Sequence, residues 1–371
     1  MTNDTRGRAL VLAEEFRAEL MTRDGVALRR QARAIVLIIR RLDERIRDLA
    51  AALQLRGHIG PGAIVRLAEF QELRAQAISE LRAYVGDSAR IIESAQGANV
   101  EAAIEESRRL VGAQFPRGVT WAALRELGAT WATLDPSALL FMVGRLGNGA
   151  PLYRYLEARV VRGTIAQVVD ALTTGIMDNP VVTARAIRAN FAGGMTQALR
   201  ISRTETLRAY RDAARASYQE NPSLVRGYRR HEALDNRTCG ACWMLDGTLY
   251  ASASDMEEHV QGRGYLTPEL VSWRELGFVG MPEQPQPPTG RELFLEMDEA
   301  GQRRIIGNDR LYELYRTGRI GLGGLVQRRV SEDFGATLTQ ASARAALDGE
   351  GTLSHLPSTE FIEPIGWLVI R

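Results

Sequence analysis

Residues 32–53 read ARAIVLIIRRLDERIRDLAAAL, a stretch whose apolar side chains recur at alternating intervals of three and four residues. An apolar stripe with this spacing lies along one face of a helix, as the seam of a coiled coil does. The stretch therefore predicts a long amphipathic helix that packs through its seam. We expect a protein partner to contact this seam, at the positions Ile35, Ile39, Leu42 and Ile46.

A second apolar stripe follows a break at residues 57–62 that is rich in glycine and contains a proline. The stripe runs from Leu67 to Val85 with helical spacing, so the two stripes predict an antiparallel helical hairpin. A further helical stretch from Ser88 to Val111 is expected to pack against the hairpin. Residues 1–115 are accordingly predicted to form a helical, partner-binding domain with a boundary near Pro116.

Beyond that boundary, the sequence changes from long helices to short elements. Residues 116–279 are predicted to be a helical segment that leads into an α+β module, whose first strand lies at 225–234. Residues 280–289 are a proline-rich linker, which must be extended and exposed. Residues 290–330 are predicted to be the helical C-terminal part of the module, and 331–371 a tail. The chain as a whole is predicted to be α+β and mainly helical.

Composition excludes several kinds of site. All 47 basic residues are arginine, which rules out a phosphate-loop lysine, a Schiff-base lysine and a serine–lysine dyad. The formal net charge of +2 gives no field strong enough to make nucleic acid or a membrane the main partner. The chain shows neither a signal-peptide pattern nor an apolar run long enough to cross a bilayer, so we expect a cytoplasmic protein without a membrane partner.

Both cysteines of the chain lie in the segment Asp235-Asn236-Arg237-Thr238-Cys239-Gly240-Ala241-Cys242, where Asp235 is expected to form an Asx turn. Cys-x-x-Cys is half of a zinc site; His259 is a suitable third ligand, but His231 is a poor fourth because it lies on the predicted strand. Three interpretations remain. The thiols are small core side chains, or zinc ligands together with His259, or a redox-labile pair. The first is favoured, so no metal or other cofactor is expected.

The triplet Arg203-Thr204-Glu205 lies on the predicted helix that precedes this segment. One interpretation is that Arg203 and Glu205 point inward and hold the Asp235 loop by charge-assisted hydrogen bonds. The other is an ordinary solvated surface pair, which would contribute little to stability.

Five short motifs follow one another between residues 203 and 263. They are Arg203-Thr204-Glu205, Gly227-Tyr228, Asp235-x-x-Thr238-Cys239-x-x-Cys242, Leu245-Asp246-Gly247 and His259-x-x-Gly262-Arg263. In order and spacing, this series resembles the phage head-morphogenesis family of minor head proteins, typified by the Mu F protein. The resemblance covers roughly residues 120–330.

The resemblance implies a structural virion protein that joins the prohead at or near the portal vertex and works by binding rather than catalysis. The implied partners are the portal protein, the major capsid or scaffold protein and, through a weak contact, packaged DNA. The implied location is the virion, with assembly in the host cytoplasm. The resemblance assigns structural roles to Arg203, Thr204, Glu205, Asp235, Thr238, Cys239, Cys242, Gly247, His259 and Arg263.

One motif departs from the family pattern. Family members commonly carry His-Pro-x-Cys-Arg-Cys where this chain has His259-Val260-Gln261-Gly262-Arg263-Gly264. Both downstream cysteines are absent, so half of any metal-ligand set would be missing. Arg263 is retained, which favours a structural ion pair near the Asp235 loop over metal chemistry.

The alternative function is a prophage-encoded metal-dependent nuclease or DNA-processing factor. The sequence has no Gly-x-Ser-x-Gly, His-Glu-x-x-His or phosphate-loop motif. The best case for an enzyme places His231, Asp235, Asp246 and His259 around a cation. Because these residue types are common near turns that have no catalytic role, the sequence favours a protein that is not an enzyme.

Overall fold

The computed structural model describes residues 5–57, 60–116, 118–130, 141–173, 179–251, 256–280 and 286–359. Within these ranges long helices dominate, accompanied by two small antiparallel sheets, which confirms the predicted α+β class. No helix in the described ranges combines the length and the apolar character needed to span a lipid bilayer.

The chain divides into two compact units that are built from discontinuous segments. The first comprises Met1–Glu19, Val100–Leu139 and Tyr210–Arg371, and the second comprises Leu20–Asn99 and Leu140–Ala209. The sequence predicted domains that follow one another along the chain, with a boundary near Pro116. Pro116 lies inside the first unit instead, because three long helices each contribute residues to both units.

Helices make up most of the described residues up to Gln219. They are α1 (Thr5–Arg56), α2 (Pro61–Ile64), α3 (Ala68–Gln114), α4 (Trp121–Glu126), α5 (Leu152–Leu156), α6 (Gly163–Thr173) and α7 (Pro180–Gln219), with a π-helical segment, Glu157–Arg162, between α5 and α6. Helix α3 is continuous, so the prediction of a separate helix over Ser88–Val111 is wrong. Gly86 and Gly97 do not interrupt it, because one glycine costs only about 1 kcal/mol in a packed helix.

The predicted hairpin is present in the second unit. Helices α1 and α3 run antiparallel, since ion pairs join Arg56 to Glu69 and Arg41 to Glu80, so that residues later in α1 meet residues earlier in α3. The apolar stripes on both helices are buried within the unit. Their fully buried members include Leu42, Ile46, Leu49, Leu53, Ala77, Leu81 and Val85.

The seam of α1 differs from the prediction in two respects. Ile38 is buried, whereas Ile39 is only partly buried, because the 3.6-residue turn of a straight helix rotates the buried face away from a strict heptad. Ile35, Leu42 and Ile46 are also buried within the unit. These side chains are therefore core residues, which corrects their assignment to partner binding.

The first unit contains both sheets. Strands β1 (Val225–His231), β2 (Leu249–Ala251) and β3 (Tyr265–Leu270) form an antiparallel sheet in the order β2-β1-β3. Tyr228 is paired with Tyr250 on one side and Pro268 on the other. Strand β1 ends at His231, three residues earlier than predicted. A short helix, α8 (Gly240–Leu245), lies between β1 and β2.

The C-terminal elements close the hydrophobic core of the first unit. They are α9 (Gly290–Glu296), α10 (Glu299–Ile306), α11 (Asp309–Arg316), a 3-10 turn (Leu322–Leu325), the hairpin β4 (Val326–Ser331) and β5 (Gly335–Gln340), and α12 (Ala343–Asp348). Leu245, Phe294, Leu311, Val326 and Leu338 belong to one buried cluster. The predicted boundary at residue 330 therefore falls within a strand, and part of the predicted tail belongs to this core.

The proline-rich linker is confirmed only in part. Residues 281–285 lie outside the described residues. Gln286 and Pro288 are exposed as expected, but Thr289 is buried. Thr289 is the N-cap of α9 and forms a capping box with Glu292, which satisfies backbone donors at the start of the helix.

Candidate functional site

The loop that follows strand β1 forms the turn expected from its sequence. Asp235 Oδ1 accepts hydrogen bonds from the backbone nitrogen of Arg237, at 2.9 Å, and from the hydroxyl of Thr238, at 3.0 Å. The backbone nitrogen of Asp235 donates in turn to Thr238 Oγ1 at 3.1 Å. This is the predicted Asx turn, and it places Cys239 at the N-cap of α8.

An ion pair links this loop to the segment that contains His259. Arg263 Nη1 donates to Asp235 Oδ2 at 2.6 Å, and Arg263 Nη2 donates to Asp235 Oδ1 at 2.7 Å. The hydrogen bonds from Arg263 hold the pKa of Asp235 well below its usual range. The predicted structural role of Arg263 near the loop agrees with this bidentate contact.

The triplet Arg203-Thr204-Glu205 does not take part in this arrangement. Arg203 Nε donates to Asp24 Oδ2 at 2.8 Å, and Glu205 Oε2 accepts from the backbone nitrogen of Gly147 at 3.0 Å. All of these residues belong to the second unit, whereas Asp235 belongs to the first. The structure thus corrects the expected brace, because Asp235 takes Arg263 as its partner. Glu205 is also only 1% exposed, so the solvated surface pair is not observed either.

Leu245-Asp246-Gly247 is a structural junction. Asp246 is buried, and its two carboxylate oxygens accept from the backbone nitrogens of Glu232, at 2.7 Å, and Gly290, at 2.8 Å. Gly247 has φ +79°, and a Cβ at this position would overlap the side chain of Thr289. The motif therefore joins the end of β1 to the start of α9 and leaves no space for a larger residue at Gly247.

The nuclease hypothesis required four side chains around one cation, and these have other partners. His231 Nε2 lies 2.9 Å from Thr267 Oγ1 and its ring stacks on Tyr265. Asp235 is paired with Arg263, and Asp246 is occupied by backbone donors. The geometry therefore gives no support to that four-residue site.

His259, the fourth residue of that hypothesis, instead meets both cysteines at the turn. The two sulfur atoms of Cys239 and Cys242 and one ring nitrogen of His259 all lie within 4.8 Å of one another. His259 Nε2 is 3.1 Å from Cys242 Sγ. Cys242 is buried and Cys239 is partly buried. The sequence proposed this set only as a less favoured zinc site; the structure brings its three members together.

A buried charge network surrounds the cluster, and sequence reasoning missed it. Arg230 is fully buried on β1; its Nε donates to Glu232 Oε1 at 2.7 Å, and its Nη2 donates to Glu258 Oε1 at 3.0 Å. Both carboxylates come within 4.8 Å of Cys242 Sγ. Part of this network could have been predicted, because the side chains of residues 230 and 232 lie on the same face of an extended chain. For Glu258, the sequence signal was its position next to His259, which was already a candidate ligand.

The electrostatics of the cluster favour separated charges. A hydrogen bond from Cys242 and another from His259 outweigh burial and lower the pKa of Cys239 to about 4. Burial opposes a charged His259, but the hydrogen bond with Cys239 and the charge of Glu258 raise its pKa to about 9. Between these values Cys239 is a thiolate and His259 is an imidazolium. The arrangement can thus act as a soft ligand set for a metal or as a reactive thiolate.

Comparison with models of protein families, with curated proteins and with solved structures gave no match for this chain. Its interpretation therefore depends on the geometry described above and on the motif series.

Proposed function

We propose that this chain is a structural minor head protein of a phage or prophage that joins the prohead at or near the portal vertex. In this role it binds the portal protein and the major capsid or scaffold protein, with a weak contact to packaged DNA. It works in assembly by binding and carries out no reaction.

The proposal is supported mainly by the contacts that the motif residues make within the first unit. Three of the five motifs in the series lie close to the end of β1 and fasten segments together: Asp235 is paired with Arg263, and Asp246 holds the start of α9. Polar groups of this kind, each occupied by an intramolecular partner, suit a rigid binding module. A hydrolytic site would need polar groups aimed at a substrate.

The proposed protein–DNA contact is a minor one. The net charge is +2, and many arginines of the long helices pair with carboxylates of the chain, as Arg45 does with Glu72 and Arg188 with Asp43. Such arginines release few counterions on binding to phosphate, so any affinity for DNA should be low and should change little with salt concentration.

The decisive experiment uses the phage that encodes the chain. Proheads are purified from a strain lacking the gene and complemented with a tagged copy, and from a matched strain lacking the portal protein. We expect the tagged chain in proheads of the first strain and its loss, or strong reduction, when the portal protein is absent. The purified chain should leave plasmid DNA intact in Mg²⁺ or Mn²⁺.

Two results would count against the proposal. One is a chain that is absent from proheads and virions although it is expressed and folded. The other is plasmid cleavage that co-elutes with the chain and depends on the added cation, which would favour the nuclease alternative.

A further inference from the structure

We propose that Cys239, Cys242 and His259 bind a zinc ion, that Glu258 supplies the fourth ligand, and that the ion fastens α8 to the segment that contains His259. The inference is independent of the proposed role in head assembly. It concerns a site that the sequence alone did not favour, because the fourth ligand was not apparent.

The spacing of the donor atoms is close to that of a tetrahedral site. With zinc–sulfur bonds of about 2.3 Å, two ligand atoms on a tetrahedron are about 3.8 Å apart, and a sulfur–nitrogen pair is slightly closer. The three donor atoms all lie within 4.8 Å of one another, and the His259 Nε2 to Cys242 Sγ distance is 3.1 Å. Shifts of about 1 Å or less would close the site around an ion.

The ring of His259 is oriented as a metal ligand is. Its Nδ1 lies 2.9 Å from the carbonyl oxygen of Val260, so Nδ1 carries the proton and donates. When metal binding displaces the proton on Nε2, the Nε2 lone pair faces Cys242 Sγ, which is 3.1 Å away. Histidine ligands in metal sites are commonly fixed in this way, by a hydrogen bond from the second ring nitrogen to a carbonyl.

The side chain of Glu258 has a buried oxygen atom that a bound cation would satisfy. Its side chain is 4% exposed, and its Oε1 is held by Arg230 and by the backbone nitrogen of His259, at 3.0 and 2.9 Å. Its Oε2 is buried and has no hydrogen-bond partner among the described residues. A buried carboxylate oxygen without a partner is costly, and coordination to a cation would satisfy it.

Glu258 also lies beside two members of the cluster. Its Oε1 is 3.8 Å from His259 Nε2, and a carboxylate oxygen of Glu258 lies within 4.8 Å of Cys242 Sγ, so its carboxyl group must move further to approach Cys239. Arg230 then acts as the outer partner that orients this ligand, since its Nη2 donates to the carboxylate.

The donor types select the metal. Two thiolates and one imidazole are soft and borderline ligands, which zinc prefers and which magnesium and calcium do not. Four protein ligands leave no open position for water, and Cys242 and Glu258 are buried. The site is therefore structural, in the sense that it holds two segments together without activating a substrate.

The test is metal analysis of the full-length chain, purified without chelators and again after removal of metal, reduction and reconstitution with zinc sulfate. We expect about one zinc per chain after reconstitution. Cys239→Ser and Cys242→Ser should each reduce bound zinc at least tenfold. Glu258→Gln should weaken zinc binding in a competition with a chromophoric chelator, whereas the neighbouring control, Glu257→Gln, should leave the affinity unchanged. Glu257 pairs with Arg328 and is not part of the cluster.

Cobalt substitution gives a readout that does not depend on the variants folding. In the wild-type chain, Co²⁺ should produce a thiolate-to-cobalt charge-transfer band and the intense visible bands of tetrahedral coordination, and zinc should displace both. Reconstituted, reduced and folded chain that binds less than about a tenth of an equivalent of zinc would overturn the proposal. Weak octahedral cobalt bands without charge transfer would overturn it as well. Equal zinc affinities of Glu258→Gln and Glu257→Gln would overturn the assignment of Glu258 as the fourth ligand.

Discussion

Replacement of Arg230 by methionine should strongly destabilise the first unit. Arg230 is fully buried and is the cation between Glu232 and Glu258, whose side chains are 2% and 4% exposed. Methionine fills part of the same volume but leaves the buried Glu258 carboxylate without its partner, together with the carboxyl group of Glu232, whose pKa is raised to about 8 by burial and by the charge of Glu258. Loss of one member of a buried ion pair costs about 3–5 kcal/mol, which is a large share of a typical net stability of roughly 5–15 kcal/mol.

A matched control removes a surface arginine. Arg328 pairs with Glu257, but its side chain is 49% exposed, so Arg328→Met should have little effect on stability. Urea unfolding followed by tryptophan fluorescence suits the comparison, because Trp121, Trp243 and Trp273, the tryptophans among the described residues, all belong to the first unit. With a slope of about 2–3 kcal/mol per molar urea, Arg230→Met should lower the midpoint by about 1–2 M. A chelator in every sample keeps metal out of the comparison.

Adding Glu258→Gln to Arg230→Met removes the stranded charge of Glu258, so the double variant should be more stable than Arg230→Met alone. Equal midpoints for Arg230→Met and Arg328→Met would refute the view that Arg230 stabilises the first unit through its buried contacts with Glu232 and Glu258. A double variant less stable than Arg230→Met would refute the cause assigned to the loss.

Three further predictions concern the core, a turn and pH. Ile38→Ala should cost about 2–5 kcal/mol and Ile39→Ala clearly less, as judged by far-ultraviolet circular dichroism melts, because only Ile38 is fully within the core; equal losses would contradict this. Gly247→Ala should lower the midpoint of urea unfolding, followed by tryptophan fluorescence, more than Gly349→Ala does. Both glycines have positive φ, but only at Gly247 would the new Cβ overlap a side chain, that of Thr289. Burial raises the pKa of Tyr84 to about 12, so the folded state keeps its proton where the unfolded state loses it; stability present below about pH 10 should therefore fall between about pH 10 and 12. The chain has no lysine to mask this, and Tyr84→Phe should lose the hydrogen bond to the Met195 carbonyl but show a shallower alkaline loss in circular dichroism melts than wild type.

The helical hairpin could be predicted from sequence because its signal is local and periodic. Two stripes with helical spacing and a glycine–proline break determine two helices and their antiparallel packing. The position of the buried face was harder to predict. A heptad and a straight helix differ by about 20° per seven residues, which is enough to exchange Ile39 for Ile38. The division into units could not be predicted, since it depends on long-range packing of residues that lie within continuous helices.

The site shows the same contrast between local and non-local information. The Asx turn at Asp235 and the Cys-x-x-Cys spacing are local, and both are found as expected. The partner of Asp235 was a choice between arginines far apart in sequence, and spacing alone does not decide it. Arg230 and Glu258 were missed because charged residues are almost never fully buried unless paired, and their pairing is not visible without the fold.

The bidentate pair between Asp235 and Arg263 limits how much a bound zinc ion would contribute to the stability of the first unit. It fastens the cysteine loop to the segment containing His259 without an ion, and the core around Leu245 and Phe294 consists mainly of aliphatic and aromatic side chains, with Cys239 packed against it. A ligand set held in place in this way differs from that of a small zinc finger, whose fold depends on the metal. Removal of zinc should therefore lower the melting temperature of the first unit while leaving its helical circular dichroism intact. If removal of zinc instead unfolded the unit, the ion pair and the core would be insufficient to hold the loop, and the metal would have to be counted among the main determinants of the fold.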